Sequence, residues 1–395
     1  MLSGKKIILG ITGSIAAYKA ALLVRLLRKQ DAQVRVVMTT AAKEFVGELT
    51  FSNLSQKPVF SGLWDGSWTE HVHLGGWADL MVVAPASANT LGKMAHGLCD
   101  NALTAVYLSA KCPVLVAPAM DADMYQHPST LRNLDQLKAD GVTVLDAGTG
   151  FLASGLHGPG RMAEPAQILE AIIHALSPKP LAGKKVLISA GPAREHLDPV
   201  RFLTNGSTGT MGYALALQAH RLGAQVTLIS GKVTPPMATP FAPLFVTSSA
   251  EMFEAVTKVA AQQDIIIMAA AVGDYTPLTY AENKIKKGEG EFVLPLKRTQ
   301  DILRHLGGIK PPSQILVGFA LETQNEYENA RKKLKSKNLD YIVLNSLRDR
   351  GAGFGKGTNK ITLIDQKGGE ERYPTKQKID VAGDILGKIV KDLDL

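Results

Sequence analysis

Short apolar runs at residues 7–9, 34–38, 80–84, 114–117 and 142–145, broken only by Arg35 and Thr143, alternate with helical patterns such as residues 16–28. A run that stays apolar at every position predicts a strand covered on both faces, and strands separated by helices predict a parallel sheet. Ser177-Pro178-Lys179-Pro180-Leu181-Ala182-Gly183 then breaks both periods. Beyond it the alternation restarts, with strands expected near 186–190, 226–230, 265–271, 315–319 and 341–344, and a helix over 212–222. The two openings are written almost alike, Gly4-Lys5-Lys6-Ile7-Ile8-Leu9 and Gly183-Lys184-Lys185-Val186-Leu187-Ile188. The expected architecture is two doubly wound, Rossmann-like three-layer α/β domains in tandem, residues 1–180 and 182–395. Two polar insertions interrupt the second, at 274–295 and 348–360. Long loops at the carboxyl ends of strands are where such sheets bind ligands.

Composition narrows the function. With 395 residues, 45% hydrophobic and 20% charged, each half can bury an ordinary globular core. No apolar stretch reaches membrane-spanning length and the N-terminus has no signal-peptide pattern, so a cytoplasmic protein without a membrane partner is expected. Cys99 and Cys112 are too few for a disulfide framework or a four-ligand zinc site, and buried apolar filling is their expected role. No metal site of protein ligands is predicted. The net charge of +8 gathers in Lys284-Ile285-Lys286-Lys287 and in the lysines of 331–337. Such clusters suit small polyphosphates; a nucleic acid would want a continuous basic stripe.

The first strand runs into Gly10-Ile11-Thr12-Gly13-Ser14, a turn that would point backbone N–H groups, and Ser14 as helix N-cap, at an anion. The plain alternative is a tight strand-to-helix connection. The spacing is not the full dinucleotide fingerprint, and Met38-Thr39-Thr40 puts no acid at the end of the second strand. A mononucleotide such as a flavin is therefore favoured over NAD, and a nicotinamide oxidoreductase is disfavoured.

More specific strings follow: Glu70-His71-Val72-His73-Leu74-Gly75-Gly76-Trp77-Ala78-Asp79, Ala84-Pro85-Ala86-Ser87-Ala88-Asn89-Thr90, Ala117-Pro118-Ala119-Met120-Asp121-Ala122-Asp123-Met124-Tyr125, Gly150-Phe151-Leu152-Ala153-Ser154-Gly155 and Gly158-Pro159-Gly160-Arg161-Met162. Together they resemble the flavin-containing cysteine decarboxylases. The resemblance continues to the C-terminus and identifies the chain as a member of the bifunctional phosphopantothenoylcysteine decarboxylase/phosphopantothenate-cysteine ligase family of coenzyme A synthesis. It implies bound FMN, with Gly13, Ser14, Thr39, Ser87, Asn89, Thr90 and Met120 at cofactor positions. It also implies decarboxylation through a thioaldehyde that serves as electron sink and an enethiol that is then reduced. His71 takes the position of the catalytic base; the competing reading is a surface histidine on a polar loop.

Two positions depart from the family pattern. Asp121 stands where an asparagine usually binds the substrate carboxylate, and Ser154 where a cysteine usually protonates the enethiol. Two carboxylates ~4 Å apart repel by about 4 kcal/mol at an effective dielectric near 20, so Asp121 is expected to be protonated, paired or displaced. A hydroxyl is a poorer acid than a thiol, which makes His157, or a water relayed through Ser154, the substitute donor.

In the second half the longest polar motif runs Gly191-Pro192-Ala193-Arg194-Glu195-His196-Leu197-Asp198-Pro199-Val200-Arg201 through Asn205-Gly206-Ser207-Thr208-Gly209. Arg201 could bind phosphate bidentately, or pair locally with Asp198 across the turn. The resemblance implies that the carboxylate of 4'-phosphopantothenate attacks CTP to give an acyl-cytidylate, which cysteine's amine then opens. Asn205 matches the residue that holds the acyl-cytidylate and Lys284 the lysine at the nucleotide phosphates. Asp274, Phe319, Lys333 and Lys337 match nucleotide-binding positions. Thr299, Gln300, Asp301 and Ile302 stand where the family more often has Asn-Pro-Asp-Ile. For Lys333 and Lys337, four apart and so on one helical face, the competing reading is a solvated surface. Mg²⁺ is expected on the triphosphate, held by phosphate and water.

The expected protein is thus a homo-oligomeric bifunctional enzyme acting on 4'-phosphopantothenate, cysteine and CTP. The alternative is an active ligase whose flavin-binding half is an assembly or regulatory module without full decarboxylase turnover.

Overall fold

The computed structural model describes residues 2–64, 69–287, 291–346, 348–349, 351 and 353–393. Contacts divide the chain into two compact units, Met1–Ser177 and Pro178–Leu395. Parts of both polar insertions, residues 288–290, 350 and 352, lie outside the described residues.

In the first unit, β1 (Lys6–Ile11), α1 (Ala17–Lys29) and β2 (Gln33–Met38) are followed by α2 (Thr40–Lys43), α3 (Glu48–Ser55) and α4 (Glu70–Trp77). Next come β3 (Leu80–Ala86), α5 (Ala88–Ala95), α6 (Ala102–Ser109), β4 (Val114–Pro118), α7 (Ala122–Gln126) and α8 (Pro128–Ala139). The unit closes with β5 (Thr143–Val144), the hairpin β6 (Gly148–Phe151) and β7 (His157–Arg161), and α9 (Pro165–Leu176). The five-stranded sheet has the order β2-β1-β3-β4-β5 and is parallel throughout. Leu23 and Leu27 of α1 and Ile168 and Ile172 of α9 pack on one face; Leu91, Leu103 and Leu134 pack on the other. Both faces being covered explains why the strands read as largely apolar runs. The order reverses between β1 and β3, the place where doubly wound sheets open a ligand crevice.

The second unit runs β8 (Lys185–Ala190), β9 (Arg194–His196), β10 (Phe202–Thr204), α10 (Thr210–Arg221), β11 (Gln225–Gly231), β12 (Leu244–Val246) and α11 (Ser249–Ala260). It continues through β13 (Ile265–Met268), β14 (Tyr275–Pro277), β15 (Leu296–Arg298), α12 (Ile302–Ile309), β16 (Ile315–Glu322) and α13 (Glu326–Ser336). It ends with β17 (Tyr341–Ser346), β18 (Thr358–Asp365), β19 (Glu370–Gln377) and α14 (Lys378–Asp392). The sheet order is β12-β11-β8-β13-β16-β17-β18-β19. The first six strands are parallel and the last two antiparallel. Here the reversal falls between β8 and β13. Tyr213, Leu215, Ile385 and Leu386 cover one face, and Met252, Val256, Leu306 and Leu334 the other.

Three expectations need correction. Cys99 is exposed in the loop before α6 instead of filling the core, because the helix begins at Ala102 behind the N-cap Asn101. Cys112 is half-buried, and burial pushes its thiol pKa up. Ser14 is not the N-cap of α1; Ala16 is, and the Ser14 hydroxyl accepts the Ala16 N–H at 3.2 Å. Among the described residues no helix is long and apolar enough to cross a membrane, and no cluster of His, Cys, Asp and Glu could hold a metal ion.

Candidate functional sites

A cavity of about 1030 Å³ opens beyond the carboxyl ends of β1, β3 and β4. Gly13, Ser14, Thr39, Ser87, Asn89, Thr90, Met120 and Asp121 all line it, although they come from four separate stretches of sequence. The ends of β1 and β3 are stitched together there: the Thr12 hydroxyl donates to the Pro85 carbonyl at 2.8 Å and accepts the Ser87 N–H at 2.9 Å. Ser87 caps α5 by accepting the Thr90 N–H. α1 has no side-chain cap; the N–H groups of Ala16, Ala17 and Lys19 bond within the turn, and Ser14, Ala16 and Tyr18 at its start line the cavity, the end of a helix that favours an anion. A methyl group at Gly13 would lie 2.7 Å from the Ala41 Cβ, so the turn admits only glycine at that approach.

Two lysines of the same walls form ion pairs. Buried Lys19 reaches Glu164 at 2.7 Å, and Lys93 reaches Asp100 at 2.5 Å and holds that carboxyl below its usual pKa. The Thr39 hydroxyl is shielded and has no hydrogen-bond partner. A polar atom left so in a large cavity fits a ligand with donors and acceptors of its own. The residues present therefore fit a phosphorylated flavin.

The decarboxylase candidates divide. Asp121 precedes α7 without capping it and faces the cavity. Ser154 lies exposed in the β6–β7 turn, its hydroxyl accepting the Leu156 N–H at 3.4 Å, while Phe151, Leu152 and Ala153 beside it reach the cavity wall. His157 packs edge-on against Phe151, with ring centroids 5.2 Å apart. His71 lies in the first turn of α4 and is not among the residues lining the cavity. The Arg35–Glu70 pair at 2.7 Å anchors the start of that helix.

In the second unit, cavities of about 320 and 540 Å³ share Ala270, Val272 and Phe319 in their walls, beyond the carboxyl ends of β13 and at β16. The smaller is lined by Asn205 and by the Ser207–Gly212 stretch that opens α10. Asn205 is oriented by donation from its amide to the Ala271 carbonyl at 3.1 Å. The larger gathers Asp274, Thr299, Gln300, Asp301, Ile302, Phe319, Lys333 and Lys337. Thr299 ties its own loop, its hydroxyl donating to the Gly273 carbonyl at 2.7 Å. Asp301 caps α12 and pairs with Lys337 at 3.0 Å; burial pushes its carboxyl pKa up, but the Arg304 N–H and Lys337 outweigh it and the net shift is downward. Lys333 pairs with Glu322 at 2.8 Å. Arg201 and Lys284 line neither cavity. Arg201 forms the local pair, with two nitrogens on the Asp198 carboxylate at 3.0 and 2.6 Å.

Sequence reasoning passed over Lys19, Lys93 and Asp100 in the first cavity, and Asn345, Asn359 and Lys378 in the second unit's smaller one. Five of them stand alone in an ordinary helical or strand pattern and Asp100 lies in the loop before α6, with no local motif to single any of them out.

Residues 1–177 match the family model described as Flavoprotein, and residues 181–393 match the DNA/pantothenate metabolism flavoprotein C-terminal domain. The Coenzyme A biosynthesis bifunctional protein CoaBC of Bacillus subtilis is 46% identical over 398 residues, covering 98% of this chain and 97% of its own. This chain belongs to that bifunctional family. The Escherichia coli K12 protein of the same name is 39% identical, covering 99% of this chain and 97% of its own. A Cysteine/Cysteine sulfinic acid decarboxylase from an unknown prokaryotic organism is 51% identical over 351 residues, covering 87% of this chain and 98% of its own.

Family membership sharpens one structural expectation. Gly160 has φ +138°, and a Cβ there would sit 2.3 Å from the Met120 carbonyl oxygen in the cavity wall, while the Met120 N–H donates to the Gly160 carbonyl at 3.0 Å. Gly160→Ala should cost about 2–4 kcal/mol through backbone strain and overlap. Thermal denaturation should show a lowered Tm and the purified variant should lack flavin absorbance; a yellow variant of unchanged Tm would refute the assignment.

Proposed function

We propose that the chain catalyses two successive reactions of coenzyme A biosynthesis: CTP-dependent coupling of 4'-phosphopantothenate to cysteine in the second unit, and flavin-dependent decarboxylation of the resulting 4'-phosphopantothenoylcysteine to 4'-phosphopantetheine in the first. The observation that carries this reading is the full-length match to bifunctional relatives, with both family domains in the same chain.

In the second unit the 4'-phosphopantothenate carboxylate attacks the α-phosphorus of CTP and pyrophosphate leaves. Cysteine's amine then attacks the acyl carbon and CMP leaves. Lys333, Lys337 and Lys284 supply positive charge for the triphosphate, and Mg²⁺ travels with it on phosphate and water ligands. Asn205 orients the acyl group.

FMN bound in the first unit would supply a two-electron acceptor and donor for the substrate. Gly13, Ser14 and the start of α1 would hold its phosphate, and Thr39, Ser87, Asn89, Thr90 and Met120 would line its bed. Asp121 meets the substrate carboxylate end. Ser154, on the β6–β7 turn, stands where the enethiol carbon takes its proton, either through water or from His157. His71 moves the thiol proton. Because His71 lies outside the cavity lining of its own chain, we place it in a homo-oligomer in which α4 of a second copy completes the site. The working environment of this reading is the cytoplasm.

The test supplies 4'-phosphopantothenate, cysteine and Mg²⁺–CTP and follows product mass, carbon dioxide and flavin spectrum together. One carbon dioxide per 4'-phosphopantetheine with oxidised flavin at the end is expected. Accumulated enethiol over reduced flavin would mean that Ser154 leaves the cycle open; ligation with no loss of carbon dioxide would make the first unit a binding module. The relative named as a cysteine decarboxylase favours free cysteine as a second reading of the flavin substrate, which carbon dioxide released from cysteine alone would establish.

A further inference from the structure

Lys378 begins α14, 173 residues after Asn205 in the chain, yet its side chain lines the same 320 Å³ cavity. It is only 6% exposed. Its ammonium donates to the Gly353 carbonyl at 3.2 Å. Among the described residues no carboxylate pairs with it, and burial pushes its pKa down. An ammonium has three donors; one carbonyl occupies one of them. Lys378 is also the sole charged residue in the described lining of this cavity, whereas the adjoining cavity holds Asp274, Arg298, Asp301, Arg304, Lys333 and Lys337.

Two other observations converge on the same space. The Asn345 Oδ1, in this cavity's wall, is shielded and has no hydrogen-bond partner. α10, twelve residues long, opens at Gly209 with φ +76° and no side-chain cap, so its first N–H groups face the cavity too. A buried cation without a counter-charge, an acceptor without a donor and an open helix N-terminus together fit a ligand carrying an oxyanion beside an N–H or O–H group.

We propose that Lys378 is a substrate-binding residue of the ligase reaction, its ammonium pairing with a carboxylate or phosphoryl oxygen of the substrate in this cavity while Asn345 accepts a hydrogen bond from a neighbouring N–H or O–H of the same molecule. The inference rests on the ligase reading above. Either 4'-phosphopantothenate or CTP could bring the oxyanion, and binding each one separately tells them apart. The competing role is that of a prop: Lys378 holds the Gly353 carbonyl, and with it Phe354, in the cavity wall.

Lys378→Gln separates the two roles. Its neutral amide can still donate to the Gly353 carbonyl, so a prop would survive, whereas an ion pair would not. Calorimetry on the full-length protein, with 4'-phosphopantothenate and CTP titrated singly, should show Kd for one of them about 10- to 100-fold weaker in Lys378→Gln and equally so in Lys378→Met. The affected ligand is the source of the oxyanion. Decarboxylation of pre-formed 4'-phosphopantothenoylcysteine should be unchanged, which reports that the variants are sound. If both ligands bind Lys378→Gln as tightly as the wild type, the proposal is overturned and Lys378 is a prop. If the wild type itself fails to make CMP from CTP, the ligase reading fails instead. Should Lys378→Met alone lose binding together with a lowered Tm, the prop role is again the answer.

Discussion

His71→Gln should lower the decarboxylation rate by about 10²- to 10⁴-fold, the span that general acid–base catalysis contributes, while flavin absorbance and CTP-dependent ligation stay at wild-type levels. Imidazole is the side chain that both takes and gives a proton near neutrality, and glutamine keeps its polarity without that ability. The surroundings of His71 argue that the change would be local. α4 is fixed at its start by the Arg35–Glu70 pair. Midway along, Gly75 lies so close to the end of α6 that a Cβ would stand 2.3 Å from the Ser109 carbonyl oxygen. His71 is thus presented from a clamped helix, and its replacement should disturb neither the sheet nor the cavity. The same variant tests the oligomer. A His71→Gln chain keeps an intact flavin cavity and a Gly160→Ala chain keeps an intact histidine, so mixed oligomers should regain activity if the histidine acts across copies. No recovery would return His71 to its own chain, and a fully active His71→Gln would remove it from the reaction.

The parallel strands were legible because a strand buried on both faces has few polar positions to blur it; β1, β2, β3, β4, β8, β11 and β16 all overlap the expected runs. The antiparallel edge was not. β19 reads Glu-Glu-Arg-Tyr-Pro-Thr-Lys-Gln and is mostly solvated, so its pairing with β18 leaves almost no apolar signal. That the residues expected at cofactor positions share one cavity was legible, since each sits in a short motif directly after a strand. Lys19 and Lys93 were not, because a lysine in a helix gives no sign of which face it serves. Lys378 shows the limit most clearly: its neighbours in the cavity come from the starts of α10 and of the loops after β13 and β17, and only the folded sheet brings those ends together. Conversely, Arg201 carried two readings in sequence, and geometry realises the local one.

That local pair has consequences for the ligase site. Asp198 is fully covered, and its Oδ1 accepts the N–H groups of Val200 and Arg201, both at 2.8 Å. Its Oδ2 accepts from the Arg201 side chain and from the Ile285 N–H at 3.1 Å, and Arg201 donates in turn to the Ile285 carbonyl at 2.7 Å. Asp198 and Arg201 therefore grip Ile285 from both sides and fix the loop that carries Lys284 and Lys286. Asp198→Ala would leave three N–H groups and a guanidinium without their acceptor and release that loop. With Lys284 at the nucleotide phosphates as proposed, misplacing it by about 1 Å is enough to cost about 10²-fold in rate, so ligation should fall by at least that much while decarboxylation persists. Asp198→Asn, which keeps an oxygen for the backbone donors but loses the charge that holds Arg201, should fall between. Burial alone would raise the Asp198 pKa, but the Arg201 side chain and the N–H groups of Val200, Arg201 and Ile285 outweigh it and hold the carboxyl well below the usual range. A depressed carboxyl contributes its stability above its unfolded value, about pH 4, and loses it only as pH falls through the lower folded value. The grip on Lys284 is therefore complete throughout the neutral range, and any acid limb of the ligation profile near neutrality must come from another group. Wild-type ligation rates in Asp198→Ala would show that Lys284 finds its phosphate without this anchor.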